Sequence, residues 1–217
     1  LGGDARPAAM IERVAWGLAL SALIGGLAYR RRSLSGSGLL GAVLVGTPIL
    51  GLGGWVWGIV LITFFVSSSW LSHYRQAAKE RVADKFAKGS RRDLGQVLAN
   101  GGLGALLAVA FAIKPEPLFF AAFLGVMGSV NADTWATELG VLSRAAPRLI
   151  TSGEEGPAGT SGGVTWLGVW ASAAGALLIG AMATALTQAT SLLRGGGWEA
   201  SAVTFPLLAT IGGVAGS

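Results

Sequence analysis

The chain has 217 residues, of which 52% are apolar and only 12% charged, with sixteen Lys/Arg against eleven Asp/Glu. A soluble domain carries about a quarter of its residues as charges, so this composition and a mean hydropathy of +0.61 exclude an ordinary soluble fold and indicate a polytopic membrane protein. The absence of cysteine and the single histidine, His73, exclude a disulfide frame, a thiolate metal site and a histidine-based metal centre.

Apolar runs of spanning length give about seven segments, at roughly 12–29, 38–54, 55–72, 95–113, 117–142, 164–187 and 200–217. The runs are continuous rather than alternating, which argues against a membrane β-barrel. Thirty-five glycines scattered through them suit helices that pack backbone to backbone in lipid. The expected fold is therefore all-α, a Gly-rich transmembrane helical bundle forming one integral membrane domain over 1–217. The first run ends at Arg30-Arg-Arg32, a stop-transfer flank rather than a signal-peptide cleavage site, so it is read as a helix of the mature protein. The second and third runs are joined by Gly51-Leu-Gly-Gly54, and Pro48 is positioned to kink the second.

Orientation follows from Lys and Arg alone. Twelve of the sixteen fall in the loops after the first, third and fifth runs, which places those loops in the cytoplasm and the amino terminus outside. The pI near 10.2 reflects this asymmetry, and no nucleic-acid partner is read from it. Contact with anionic membrane lipid is the simplest use of such loops.

The polar, glycine-rich clusters fall on the same side. Arg30-Arg-Arg-Ser-Leu-Ser-Gly-Ser-Gly38 places guanidiniums and hydroxyls at a helix start, where unpaired N–H groups favour an anion. Ser67-Ser-Ser-Trp-Leu-Ser-His-Tyr-Arg75 ends the third run with interfacial aromatics, and the basic stretch 75–92 is expected to be helical near the surface. Asp93, Gln96 and Asn100 share a helical face, so a polar stripe enters the fourth run, either as interhelical hydrogen bonding or as the wall of a wet cavity. Thr160-Ser-Gly-Gly163, before the sixth run, is either a second nest of backbone amides or a flexible loop with an N-cap.

Asn131, Asp133, Thr134 and Glu138 form the most unusual stretch, because a carboxylate in hydrocarbon costs about 2.5–3.5 kcal/mol even on insertion scales. On a continued helix Asn131 and Glu138 share a face while Asp133 lies well around the cylinder. Either the two acids serve different partners, or the helix breaks at Gly128 and brings them together.

These residues resemble a known family. Arg32-Ser-Leu-Ser-Gly-Ser-Gly-Leu-Leu-Gly-Ala42, Asp93-Leu-Gly-Gln-Val-Leu-Ala-Asn-Gly-Gly102, Ala132-Asp-Thr-Trp-Ala-Thr-Glu-Leu-Gly140, and Pro147-Arg-Leu-Ile-Thr-Ser152 through Gly159-Thr-Ser-Gly-Gly-Val-Thr165 are similar, in order, to motifs of one integral membrane family. It contains transmembrane protein nineteen and the plant and cyanobacterial phytyl-phosphate kinases. The resemblance implies transfer of a nucleoside triphosphate's γ-phosphoryl group, with CTP as donor, to a prenyl monophosphate such as phytyl phosphate, feeding tocopherol, quinone or chlorophyll-type salvage. Family members continue into a further small-residue segment with an Asp-Ser pair and an Asn-rich motif, so part of the site is expected to lie beyond Ser217.

Phosphoryl transfer works chiefly by positioning and charge neutralisation. On this reading Asp133 and Glu138 are Mg²⁺ ligands, assisted by Asn131, Asn100 and Asp93, and Arg32, Ser35, Ser37, Arg91, Arg92, Thr160 and Ser161 cradle phosphates at a site facing the cytoplasm of a bacterial-type inner membrane. The alternative is a transporter or exporter of a lipid phosphate or other anion, which requires polar residues reaching the outer leaflet. Ala105–Phe111 and Leu118–Val126 are wholly apolar, which favours the enzyme.

Overall fold

The computed structural model describes residues 5–74, 91–157, 160, 162–195, 204, 207–209 and 211–213. The elements run α1 Ala5–Arg30, α2 Gly36–Pro48, a π-helical turn Ile49–Gly53, α3 Trp55–His73, α4 Leu94–Ile113, α5 Pro117–Gly140, β1 Arg148–Leu149, β2 Gly163–Val164 and α6 Trp166–Leu193. Five stretches are long and apolar enough to cross a membrane: Ala8–Arg30, Gly36–Gly53, Trp55–His73, Leu94–Ile113 and Trp166–Leu193. The expected helical membrane bundle is thus observed. α5 is a single helix of 24 residues, also long enough to span, whose second half carries the polar residues 131–138. The basic stretch 75–90 and most of the expected seventh span lie outside the described residues, although 204, 207–209 and 211–213 are helical.

Pro48 changes the second span without breaking it. It has no N–H to continue the ladder, and the chain passes into the π-turn Ile49–Gly53 before Gly54, at φ 94°, ends it. The π-turn shifts the register just before the next helix, and Arg13 Nη2 donates to the carbonyl of Leu52 at 3.0 Å.

The chain divides into two compact units, residues 1–63 with 90–127, and residues 64–89 with 128–217. In the first, α1 runs antiparallel to α2 through small residues spaced four apart. A Cβ on Gly17 would lie 2.6 Å from the carbonyl oxygen of Thr47, and one on Gly46 would lie 2.7 Å from Ser21 Cβ. Ser21 and Thr47 share a hydroxyl–hydroxyl hydrogen bond of 3.0 Å. α4 runs parallel to α2, with Gly41 against Val97 and Gly101 against Val45. Such close approach stands in for the hydrophobic driving force that lipid removes. Trp57 stacks on Phe123 at 4.4 Å, with Phe111 and Phe120 around it.

In the second unit the end of α3 and the second half of α5 run in the same direction, and α6 runs against α5. A Cβ on Gly140 would meet Gly168 Cα at 3.4 Å, and one on Gly175 would meet the Trp135 ring at 2.9 Å.

The Gly17 contact is to backbone and cannot swing away. Gly17→Ala should therefore lower stability by about 1–3 kcal/mol in denaturant titrations in micelles. Gly26→Ala, on the same helix with nothing within 4 Å of its Cβ position, should leave stability unchanged or raise it.

Candidate functional site

The basic cluster belongs to the first unit. α1 ends with Ser33 N–H donating to Ala28 O at 2.9 Å and Arg32 N–H to Tyr29 O at 3.0 Å, the paired bonds of a Schellman cap. The cap needs a left-handed residue where glycine is usual, and this chain places Arg32 there at φ 61°. A left-handed L-residue costs about 1–2 kcal/mol. Leu34 is fully buried and bridges Arg92. Arg92 N–H donates to Ser33 O, and Ser35 N–H to Arg92 O, each at 3.0 Å. Gly38 N–H donates to Ser35 Oγ, which caps α2, and Ser37 Oγ lies 3.1 Å from Ser35 Oγ. A Cβ on Gly38 would collide with the Arg92 carbonyl oxygen, so the close approach of the two segments requires glycine there.

The strand-like contact at Leu34 therefore brings Arg32, Ser35, Ser37, Arg91 and Arg92 together at the amino-terminal ends of α2 and α4. The exposed side chains of Arg32 and Arg91 make no hydrogen bond or ion pair among the described residues. Guanidiniums beside the open N–H groups of a helix start favour an anion.

The polar stripe on α4 proves largely structural. Asp93 caps the helix, accepting from Gln96 N–H at 2.9 Å, and its own N–H donates to Gln96 Oε1 at 3.2 Å. This capping box accounts for two of the three polar residues without a wet cavity. Asn100 sits two turns further in, half-buried.

The acidic segment belongs to the second unit, and the helix that carries it is unbroken through Gly128. Of the two arrangements open from sequence, this is the one in which the acids serve different partners. Five residues apart on one helix, Asp133 and Glu138 point about 140° apart, whereas Asn131 and Glu138 are within about 20°. Asn131 is fully buried. Its Nδ2 donates to Gly175 O at 2.7 Å and its Oδ1 accepts from Ser67 Oγ at 3.3 Å. Trp135 Nε1 donates to the same Ser67 hydroxyl at 3.4 Å. Ser72 Oγ donates to Glu138 Oε1 at 2.6 Å. Asp133 is exposed, and no partner for its carboxylate is found among the described residues. No three acidic or His side chains converge among the described residues.

Ser67, Ser72, Trp135 and Gly175 are partners that motif reading passed over. The available signal was the serine-rich end of α3, readable as a hydrogen-bonding partner for the polar face of α5.

Thr160 and its neighbours differ from expectation. The helix starts at Trp166 with Thr165 as its N-cap, Thr165 Oγ1 accepting from Gly168 N–H at 3.1 Å. Gly162 instead leads into β2, and Thr160 Oγ1 donates to Pro157 O at 2.8 Å. Gly163–Val164 pairs with Arg148–Leu149 immediately ahead of the helix start. Ser161 lies outside the described residues.

Residues 19–217 match the family described as Integral membrane protein DUF92. The chain belongs to this family. It is 36% identical over 182 residues to Protein PGR of Arabidopsis thaliana, covering 77% of this chain and 63% of that protein. It is likewise 36% identical over 154 residues to Uncharacterized membrane protein MJ0933 of Methanocaldococcus jannaschii, covering 70% of this chain and 62% of that protein. The chain thus spans a little over three-fifths of the length of these relatives. No solved structure matches.

Removing the Asn131 amide deletes its hydrogen bonds to Gly175 O and the Ser67 hydroxyl and leaves a cavity at a fully buried position. Asn131→Ala should destabilise by about 1–3 kcal/mol in unfolding experiments in micelles, whereas Asp133→Asn should leave stability unchanged. An equal effect of the two substitutions would contradict the geometry.

Proposed function

We propose that this chain catalyses transfer of the γ-phosphoryl group of a nucleoside triphosphate to a prenyl monophosphate such as phytyl phosphate, giving the prenyl diphosphate. CTP is the donor that the family resemblance implies. The observation that carries the reading is Asp133, an exposed carboxylate without a partner among the described residues, in the polar half of a helix from an otherwise apolar chain. An ionisable residue at such a position is a functional one by default. The exposed arginines at the starts of α2 and α4 form, within the first unit, a basic cluster of the kind that binds phosphate.

The donor set suits Mg²⁺, which takes one or two carboxylates and completes its shell with waters and phosphate oxygens. Asp133 is the first choice of ligand, and Glu138, oriented by Ser72, is the second. Asn131, expected among the ligands, belongs to the frame, because both ends of its amide are taken up by helix packing. When bound, the cation neutralises charge on the donor's phosphoryl oxygens. Within the first unit, Arg32, Arg91, Arg92, Ser35 and Ser37 are the groups we assign to phosphate binding. An oxygen of the acceptor phosphate attacks the γ-phosphorus, the bond to the bridging oxygen breaks, and the nucleoside diphosphate leaves. A phosphate monoester is already nucleophilic, so no buried His or Cys base is required. The excess of Lys and Arg in the loops after the first, third and fifth runs supports an amino terminus outside and a reaction on the cytoplasmic face.

The test is an assay of the purified chain with phytyl phosphate, Mg²⁺ and each nucleoside triphosphate, followed by mass detection of the diphosphate. Asp133→Asn and Glu138→Gln should each lower turnover by about a hundredfold or more with folding intact, and undiminished turnover in both would remove the metal assignment. Arg32→Gly offers a sharper check. Glycine relieves the left-handed strain, so stability should rise by about 1 kcal/mol while the KM for the nucleotide increases. A rise in stability with unchanged KM would reduce Arg32 to a helix cap.

A further inference from the structure

The loop between α5 and α6 forms a small sheet with one uncovered face. β1 and β2 pair with Arg148 opposite Val164 and Leu149 opposite Gly163, and Ile150 N–H continues the ladder to Gly162 O at 3.0 Å. Residues two apart, and residues directly opposite each other, share a face. Arg148, Ile150 and Val164 therefore lie on one side and Leu149 on the other. Thr165 is extended (φ −119°, ψ 150°), which carries the alternation from Val164 to Trp166, and Trp170 follows one helical turn later.

All four large apolar members of this strip face outward: Ile150 is 79% exposed, Val164 40%, Trp166 80% and Trp170 71%. A contiguous apolar strip of this kind marks a contact surface.

The identity of the contact follows from where the strip ends. Trp166 and Trp170 begin α6, a helix long and apolar enough to cross the membrane, and Trp at the end of such a helix sits at headgroup depth. Only three residues lie between Gly162 and Trp166, at most about 14 Å of chain. The uncovered sheet face is thus continuous with the lipid-facing surface of α6. We infer that the 148–164 hairpin is seated on the membrane interface, with Ile150 and Val164 against lipid. The exposed Arg148, on the same face, pairs within the hairpin with Glu155 at 3.3 Å. The partner is the lipid surface itself, and the inference stands whether or not the chain transfers phosphoryl groups.

The sequence contains no cysteine, so Ile150→Cys provides a single site for a nitroxide label. The full chain would be reconstituted in vesicles of phosphatidylethanolamine and phosphatidylglycerol, and power saturation of the spin signal measured with oxygen, which partitions into lipid, and with a neutral nickel chelate, which stays in water. Oxygen-dominated saturation is expected. Saturation dominated by the nickel chelate would place the face in water and overturn the inference. Protection from both relaxants would mean that protein covers the face, whether a second copy or the remainder of this chain, and would overturn it equally. Val164→Cys reads the same face if the first variant fails to fold.

Discussion

In hydrocarbon a polar side chain has no water to fall back on, so it must find its partners within the protein or remain unpaired at several kcal/mol. Asn131 meets this condition from the middle of α5. It reaches α3 through Ser67 and α6 through the carbonyl of Gly175, which Asn131 can approach because Gly175 has no side chain. Three helices are registered by one amide, and Glu138, two turns along the same face, is then set against Ser72. The orientation of Asp133 is a consequence. With one face of α5 committed to packing, Asp133, about 160° around the cylinder from Asn131 and about 140° from Glu138, lies off that face and retains an exposed carboxylate.

The first unit solves a different problem, bringing basic side chains to one place with backbone rather than side-chain contacts. Leu34 is buried, Arg92 exchanges two main-chain hydrogen bonds with Ser33 and Ser35, and Gly38 lets the Arg92 carbonyl sit directly on α2. The guanidiniums of Arg32 and Arg91 thus take no part in holding the segment together. In a chain with thirty-five glycines, the one left-handed position in the α1 cap is occupied by arginine. Strain of this kind persists where the side chain serves something other than folding.

Much of the fold was legible because span length and apolar continuity are one-dimensional properties. The features that escaped depend on partners far along the chain. Asp93 and Gln96 read as a stripe by their spacing, yet that same spacing defines a capping box, and only the main-chain geometry decides between them. Thr160 read as part of a helix start because Gly and Ser precede a helix, whereas two residues of β-pairing, too short for a period-two signal, shift the start to Trp166. Spacing alone left a break at Gly128 open beside a continued helix; in the structure Gly128 is a contact, where a Cβ would lie 2.8 Å from Ala209 O, so the glycine permits close packing within an intact helix.

The choice between an enzyme and a transporter turns on how polar groups are used along α6. Near the acidic segment its glycines admit partners from α5. Farther along, Thr187 donates to Ala183 O and Thr190 to Leu186 O, each within its own helix. Hydroxyls turned back on their own backbone offer nothing to a passing ion. Thr184 Oγ1 is buried without a partner among the described residues, one turn from the buried Gln188. α6 thus carries two separate stretches, a glycine-lined one packed on α5 at Gly168 and Gly175, and a polar one from Thr184 to Thr190, with the buried Gln188, whose threonines turn largely back into their own helix.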